Sequence, residues 1–155
     1  MLFDKLDLKI LGELQRDARI SNHKLAQRVG LSPSPCWRRV KRLEEQGIIQ
    51  RYVTLLNPGD LNLAVIAYAH VLLENHHPDT VKEFDEVVQR RPEVLECYSM
   101  SGQHDYLLKV VSASMEAYEE FLSAHLLQIP AVRTANTSFV LKQKKFTTAL
   151  PLGNL

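Results

Sequence analysis

Between Leu31 and Gly47 the stretch LSPSPCWRRVKRLEEQG sets four basic side chains, Arg38, Arg39, Lys41 and Arg42, behind two hydroxyls, Ser32 and Ser34. Cations at this density suit phosphate, and hydroxyls at a helix start donate to phosphate oxygens. Wound at about 100° per residue, the segment puts Cys36, Val40 and Leu43 on one face and Ser34, Arg38, Lys41 and Arg42 opposite. Arg39 and Trp37 lie on the flanks. Cys36 reads as a small core residue and Trp37 as cover for the core edge. Alone, a basic helix face is ordinarily a solvated one. Here Arg38 and Arg42 are candidates for base edges or phosphates, and Ser32, Ser34 and Lys41 for phosphates.

A second group lies in SGQHDYLL, where Gly102 suits a tight turn and Asp105 puts a carboxylate at the start of an apolar strand. Such a group either caps the turn or receives a ligand's ammonium, while exposed backbone N–H groups take the ligand's carboxylate. The remaining residues offer less chemistry. His76 and His77 precede Pro78 in a loop and read as solvated, without the spacing of a metal site. His104 and Asp105 are neighbours whose side chains diverge in a strand, which argues against a catalytic dyad. Cys36 and Cys97 form no CxxC, and there is no GxGxxG, GxxxxGK, HExxH or nucleophile elbow. No catalytic residue, metal or cofactor is therefore expected.

The elements that position these groups follow from spacing. Leu6, Ile10, Leu11 and Leu14 repeat as in a helix from Asp4 to about Asp17; Ser21 caps a second helix carrying Leu25, Ala26 and Val29, which Gly30 ends. Ser32 and Pro33 start the third, completing a helix-turn-helix pattern. IIQRYVTLL reads as a following strand and wing. NPGDLN marks a linker, giving domains at 1–56 and 64–155 joined by 57–63. Past it a strand, helix, strand pattern occurs twice, with Pro92 and Pro130 opening matching strands. Repeated βαβ units imply an α+β, ferredoxin-like βαββαβ domain, a four-stranded antiparallel sheet with both helices on one face. Its strands are apolar on both faces, so a partner sheet should cover the open one and the protein should be at least a dimer.

Charge divides the same way. Residues 1–56 hold 11 Lys/Arg against 6 Asp/Glu, and the remainder 8 against 12, although the whole chain is only +1. A basic first part suits a polyanion and an acidic second part a different partner. No apolar run approaches the roughly 20 residues of a membrane span, and MLFDKLDLKI is not a basic leader. A cytoplasmic, nucleoid-associated location without membrane partners is expected.

The whole chain resembles the Lrp/AsnC family of bacterial and archaeal transcriptional regulators. LDLKILGELQRDARIS, LAQRVGLSPSPCWRRVKRLEEQGII, PEVLECYSMSGQHDYLLKV and TSFVLKQKKFTT carry the resemblance, in order, through both domains. It implies an N-terminal winged helix-turn-helix on a double-stranded DNA operator and a C-terminal domain that binds an amino-acid effector between dimers, which assemble into tetramers, octamers or sixteen-mers. It places Gly102 and Asp105 in the family's Gly-x-x-Asp effector loop, Tyr98 on the preceding strand, Met115 at the start of the second helix of that domain, and Ser138, Phe139 and Val140 on the last strand. KFTTALPL and PCW look like a branch in which leucine, methionine or cysteine is the effector. Leucine or methionine is favoured, because Tyr98, Met115, Phe139 and Val140 would line an apolar cavity. The rival readings are an architectural DNA binder with no ligand, and a small metabolic enzyme with an accessory basic domain.

Overall fold

The computed structural model describes residues 4–154 and forms two compact units. The first runs to Leu55 and also takes the stretch from Lys145 onward; the second is Leu56–Lys144. The sequence division left that last stretch with the second domain. It joins the first unit because the Gln15 side chain grips Leu150, accepting from its N–H at 2.6 Å and donating to its carbonyl at 3.2 Å.

The first unit is built on α1 (Lys5–Arg16), α2 (Asn22–Val29) and α3 (Pro33–Glu45). Each start has a local cause. Asp4 and Asp7 form a reciprocal capping box on α1, the Ser21 hydroxyl accepts from Lys24 N–H on α2, and Pro33 supplies a pre-set φ at the first turn of α3. Gly30 ends α2 at φ +76, a left-handed conformation that glycine adopts without Cβ strain. Ile10, Leu25, Ala26, Val29, Cys36 and Leu43 form the core. Burying each larger aliphatic contributes roughly 1.5–3 kcal/mol. Trp37 does not join them: it is 53% exposed, so the expected cover for the core edge is corrected to a solvent-facing indole. The expected strand after Gly47 is absent too. Ile48 and Ile49 both donate to the Leu43 carbonyl, and residues 50–56 are exposed and without strand pairing, because no other segment lies beside them to complete a ladder.

In the second unit β1 (Val65–Leu73), α4 (Pro78–Gln89), β2 (Val94–Ser99), β3 (Tyr106–Ser112), α5 (Met115–Phe121) and β4 (Val132–Phe139) follow in order. All neighbouring strands are antiparallel, in the order β2-β3-β1-β4, which is the ferredoxin-like arrangement. Ala67, Ala69, Val71 and Leu73 of β1 point to one face and bury against Phe84 and Val88 of α4 and Tyr118 and Phe121 of α5. The opposite face carries Ile66, Tyr68, His70 and Leu72, all partly exposed. Beyond Phe121, α5 continues as a π-helical turn, Leu122–Leu126, and Leu126 is buried in the core. Val140, expected on the last strand, lies one residue beyond β4, although its N–H still donates to the Ile66 carbonyl.

Candidate functional site

The basic helix is α3, and α1 determines which of its cations are available. Asp7 sits one turn into α1 at 1% exposure, and its two oxygens are taken by Arg39 Nη1 at 2.8 Å and Arg42 Nη2 at 2.6 Å. Arg39 also reaches Asp4 at 2.8 Å. The Asp7 and Asp4 carboxylates push the Arg39 guanidinium further up. The Asp7 N–H, then Arg39, holds the Asp4 carboxyl below its ordinary range. These two arginines therefore fasten α3 to α1, a role that helical spacing on α3 alone did not assign to Arg42. Lys41 pairs with Glu44 at 2.6 Å, and Glu44 also accepts from the Tyr52 hydroxyl. Among the described residues, exposed Arg38 makes no ion pair and the exposed Ser32 and Ser34 hydroxyls make no hydrogen bond. Asn22 donates to the Pro33 carbonyl at 2.8 Å, fixing the start of α3 against α2.

In the second unit the loop between β2 and β3 is locked from several sides. Met100 N–H donates to the Asp105 carbonyl at 2.8 Å and Asp105 N–H to the Val71 carbonyl at 2.9 Å. Gly102 lies between them at φ +125, which residues with a Cβ rarely adopt. Asp105 Oδ2 accepts from Leu73 N–H at 2.8 Å, and Oδ1 meets His76 Nε2 at 2.7 Å. Burial alone would raise the Asp105 carboxyl; the Leu73 N–H and His76 outweigh it and hold it below the usual aspartate range. His76 is exposed, as the sequence reading had it, and in addition meets a carboxylate that the reading did not foresee. His77 instead caps α4, its Nδ1 accepting from Asp79 N–H at 3.4 Å. The His104 ring lies 5.2 Å from that of His70.

The other expected effector residues do not gather around Asp105 within one chain. Tyr98 is near the same end of the sheet, on the open face, its hydroxyl donating to Glu96. Ser138 pairs with Tyr68 and Phe139 with Ala67, whereas the Asp105 loop joins β1 at Val71. Four residues of strand, about 13 Å, separate those positions. Met115 and Phe139 line a separate groove of about 400 Å³ between α5 and β4, where the Tyr118 and Thr137 hydroxyls are 2.7 Å apart. Asp7 and His76 were missed by sequence reasoning. Asp7 had a readable signal, an acid three residues after the Asp4 cap, whereas nothing local links His76 to a carboxylate 29 residues later. Both thiols are subdued: burial raises Cys36, and burial pushes Cys97 up to about 11.

Residues 3–50 match the winged helix-turn-helix DNA-binding domain and residues 66–150 the Lrp/AsnC ligand binding domain. The leucine-responsive regulatory proteins of Escherichia coli (strain K12) and Klebsiella pneumoniae are each 44% identical over 95% of this chain and 90% of their own length. A transcriptional regulator from Neisseria meningitidis, solved as its L-Met complex, superposes with a TM-score of 0.95 at 43% identity, over 98% of both chains. An AsnC family regulator from Agrobacterium tumefaciens gives 0.93 at 42% identity, over 99% of both. The two matched domains account for nearly all of the chain, which belongs to the Lrp/AsnC family of DNA-binding transcriptional regulators.

Proposed function

We propose that this regulator, working in the cytoplasm on the nucleoid, takes leucine or methionine as its effector, with cysteine a third option, and catalyses no reaction. The observation that carries this reading is the Asp105 carboxylate. Its pKa is held below the usual aspartate range at a half-buried strand start, one oxygen fixed by Leu73 N–H and the other met by the exposed His76 ring. An ammonium fits that oxygen, and Tyr98, Met115, Phe139 and Val140 offer apolar surface for a side chain. Because Met115, Ser138, Phe139 and Val140 lie far along the sheet from Gly102 and Asp105, a complete pocket requires residues from a second copy. That favours an effector bound between dimers, in tetramers or octamers. Leucine is supported by the names of the 44% identical relatives and methionine by the L-Met complex of the Neisseria regulator.

At the DNA, α3 enters the major groove of an operator. Arg38 reads bases or phosphate, and Ser32, Ser34 and Lys41 hold phosphates, while Arg39 and Arg42 fix the helix through Asp7. Thermal melting of the purified protein against the twenty amino acids tests the effector. A ligand bound by the folded state alone raises the midpoint, by about 2.7 kcal/mol of added stability at one hundred times its Kd. A shift with leucine or methionine, lost in Asp105→Ala while DNA binding is kept, is the expected result. No shift with any amino acid sinks the effector reading and leaves an architectural DNA binder.

A further inference from the structure

We infer that His76 competes with the effector's ammonium for Asp105 and so sets how tightly, and at what pH, this regulator holds its amino acid. The inference rests on Asp105 being the ammonium acceptor, as proposed above. Asp105 cannot turn to offer another position. Its N–H is bound by Val71, its carbonyl by Met100, and its Oδ2 by Leu73, which leaves Oδ1 as the carboxylate oxygen without a backbone donor. His76 Nε2 already stands at 2.7 Å from that oxygen. An incoming ammonium must therefore displace the imidazole or crowd beside it.

The ring can leave while its loop stays. The Asn75 side chain accepts from His77 N–H and from the Thr80 hydroxyl, both at 2.9 Å, so the backbone on either side is pinned. The His76 side chain itself is 68% exposed, so swinging it into water costs little. What that swing costs depends on the proton. A neutral imidazole gives up one hydrogen bond to the carboxylate; a protonated one gives up an ion pair and repels the ammonium beside it. Histidine changes charge between about pH 5 and 8, whereas the Asp105 carboxyl, held below the usual range, stays ionised across that window. The other ionisable groups around the pair are His104, lying against His70, His77 against Asp79 at the start of α4, and exposed Glu74. His104 and His77 are the histidines whose protonation must be separated from that of His76.

Calorimetric titration of L-leucine and L-methionine into the full-length protein, at about pH 5.5 and 7.5, separates the possibilities. The parent should bind several-fold more weakly at the lower pH. His76→Ala should bind more tightly than the parent at the lower pH and lose most of the difference between the two conditions. His76→Gln, a neutral donor, should be equally insensitive to pH, and His76→Lys, a permanent cation, should bind worst at both. His104→Gln and His77→Gln should keep the parental dependence. Weaker binding by His76→Ala would make the imidazole a ligand to the effector, and an unchanged pH profile would remove it from the site; either overturns the inference. Asp105→Asn is read separately: if it binds like the parent, the acceptor assignment itself is wrong.

Discussion

Asp7 carries more consequence than its place in a helical repeat suggests. It is a buried carboxylate whose oxygens serve Arg39 and Arg42 while it completes the capping box of α1. Removing one partner of a buried ion pair leaves the others uncompensated, at a cost of about 3–5 kcal/mol when all are fully buried. Here both arginines keep access to water, Arg42 at 44% exposure, so part of that cost is screened. Asp7→Ala is therefore expected to lower stability by roughly 2 kcal/mol, capping included, as measured by urea denaturation. A loss below about 0.5 kcal/mol, the range of an unremarkable surface substitution, would mean that α3 is held by its apolar face alone.

Among the elements, α3 divides its basic residues between holding the helix and reaching outward. Arg38→Ala should weaken operator binding and reduce the slope of log K against log salt by about one, since one fewer phosphate is neutralised. Arg42→Ala should act first on stability, through Asp7, and change the slope less. Equal slope changes in the two variants would show that Arg42 leaves Asp7 when DNA arrives. The sequence made much of this visible: the cap at Ser21, Gly30 after α2, Pro33 at the start of α3 and the 38-residue spacing of Pro92 and Pro130 are local signals tied to backbone chemistry. It concealed contacts between distant segments. Helical spacing put Arg42 opposite the core without revealing the Asp7 beside it, and placed Trp37 too close to the buried face. RYVTLL has strand composition, yet strand formation needs a partner backbone that the single chain does not bring. His76 likewise became part of the candidate site only when folding laid the loop before α4 against the start of β3.

At the scale of the molecule, the second unit has one sheet face covered by helices and one that is not. Ile66, Tyr68, His70 and Leu72 of β1 and Leu107 of β3 line the uncovered face, with Lys109 and Glu96 paired at 2.7 Å among them. A monomer leaving this much apolar strand in water loses the burial free energy that a second sheet supplies, at about 25 cal/mol per Å² of apolar surface. The residues expected at the effector likewise fall into two groups that one chain does not unite, so on the function proposed above assembly and ligand binding would draw on the same second copy. An amino acid bound across copies then stabilises one assembly over another, and by linkage each assembly changes the amino acid's affinity by the same factor. Leu107→Glu places a carboxylate in the middle of the open face, opposite His70. Sedimentation is expected to show a smaller species than the parent, and effector binding should fall with it. A parental sedimentation coefficient in this variant would place the subunit contact elsewhere. A smaller species that still bound its amino acid with parental affinity would show that one chain holds the whole effector site.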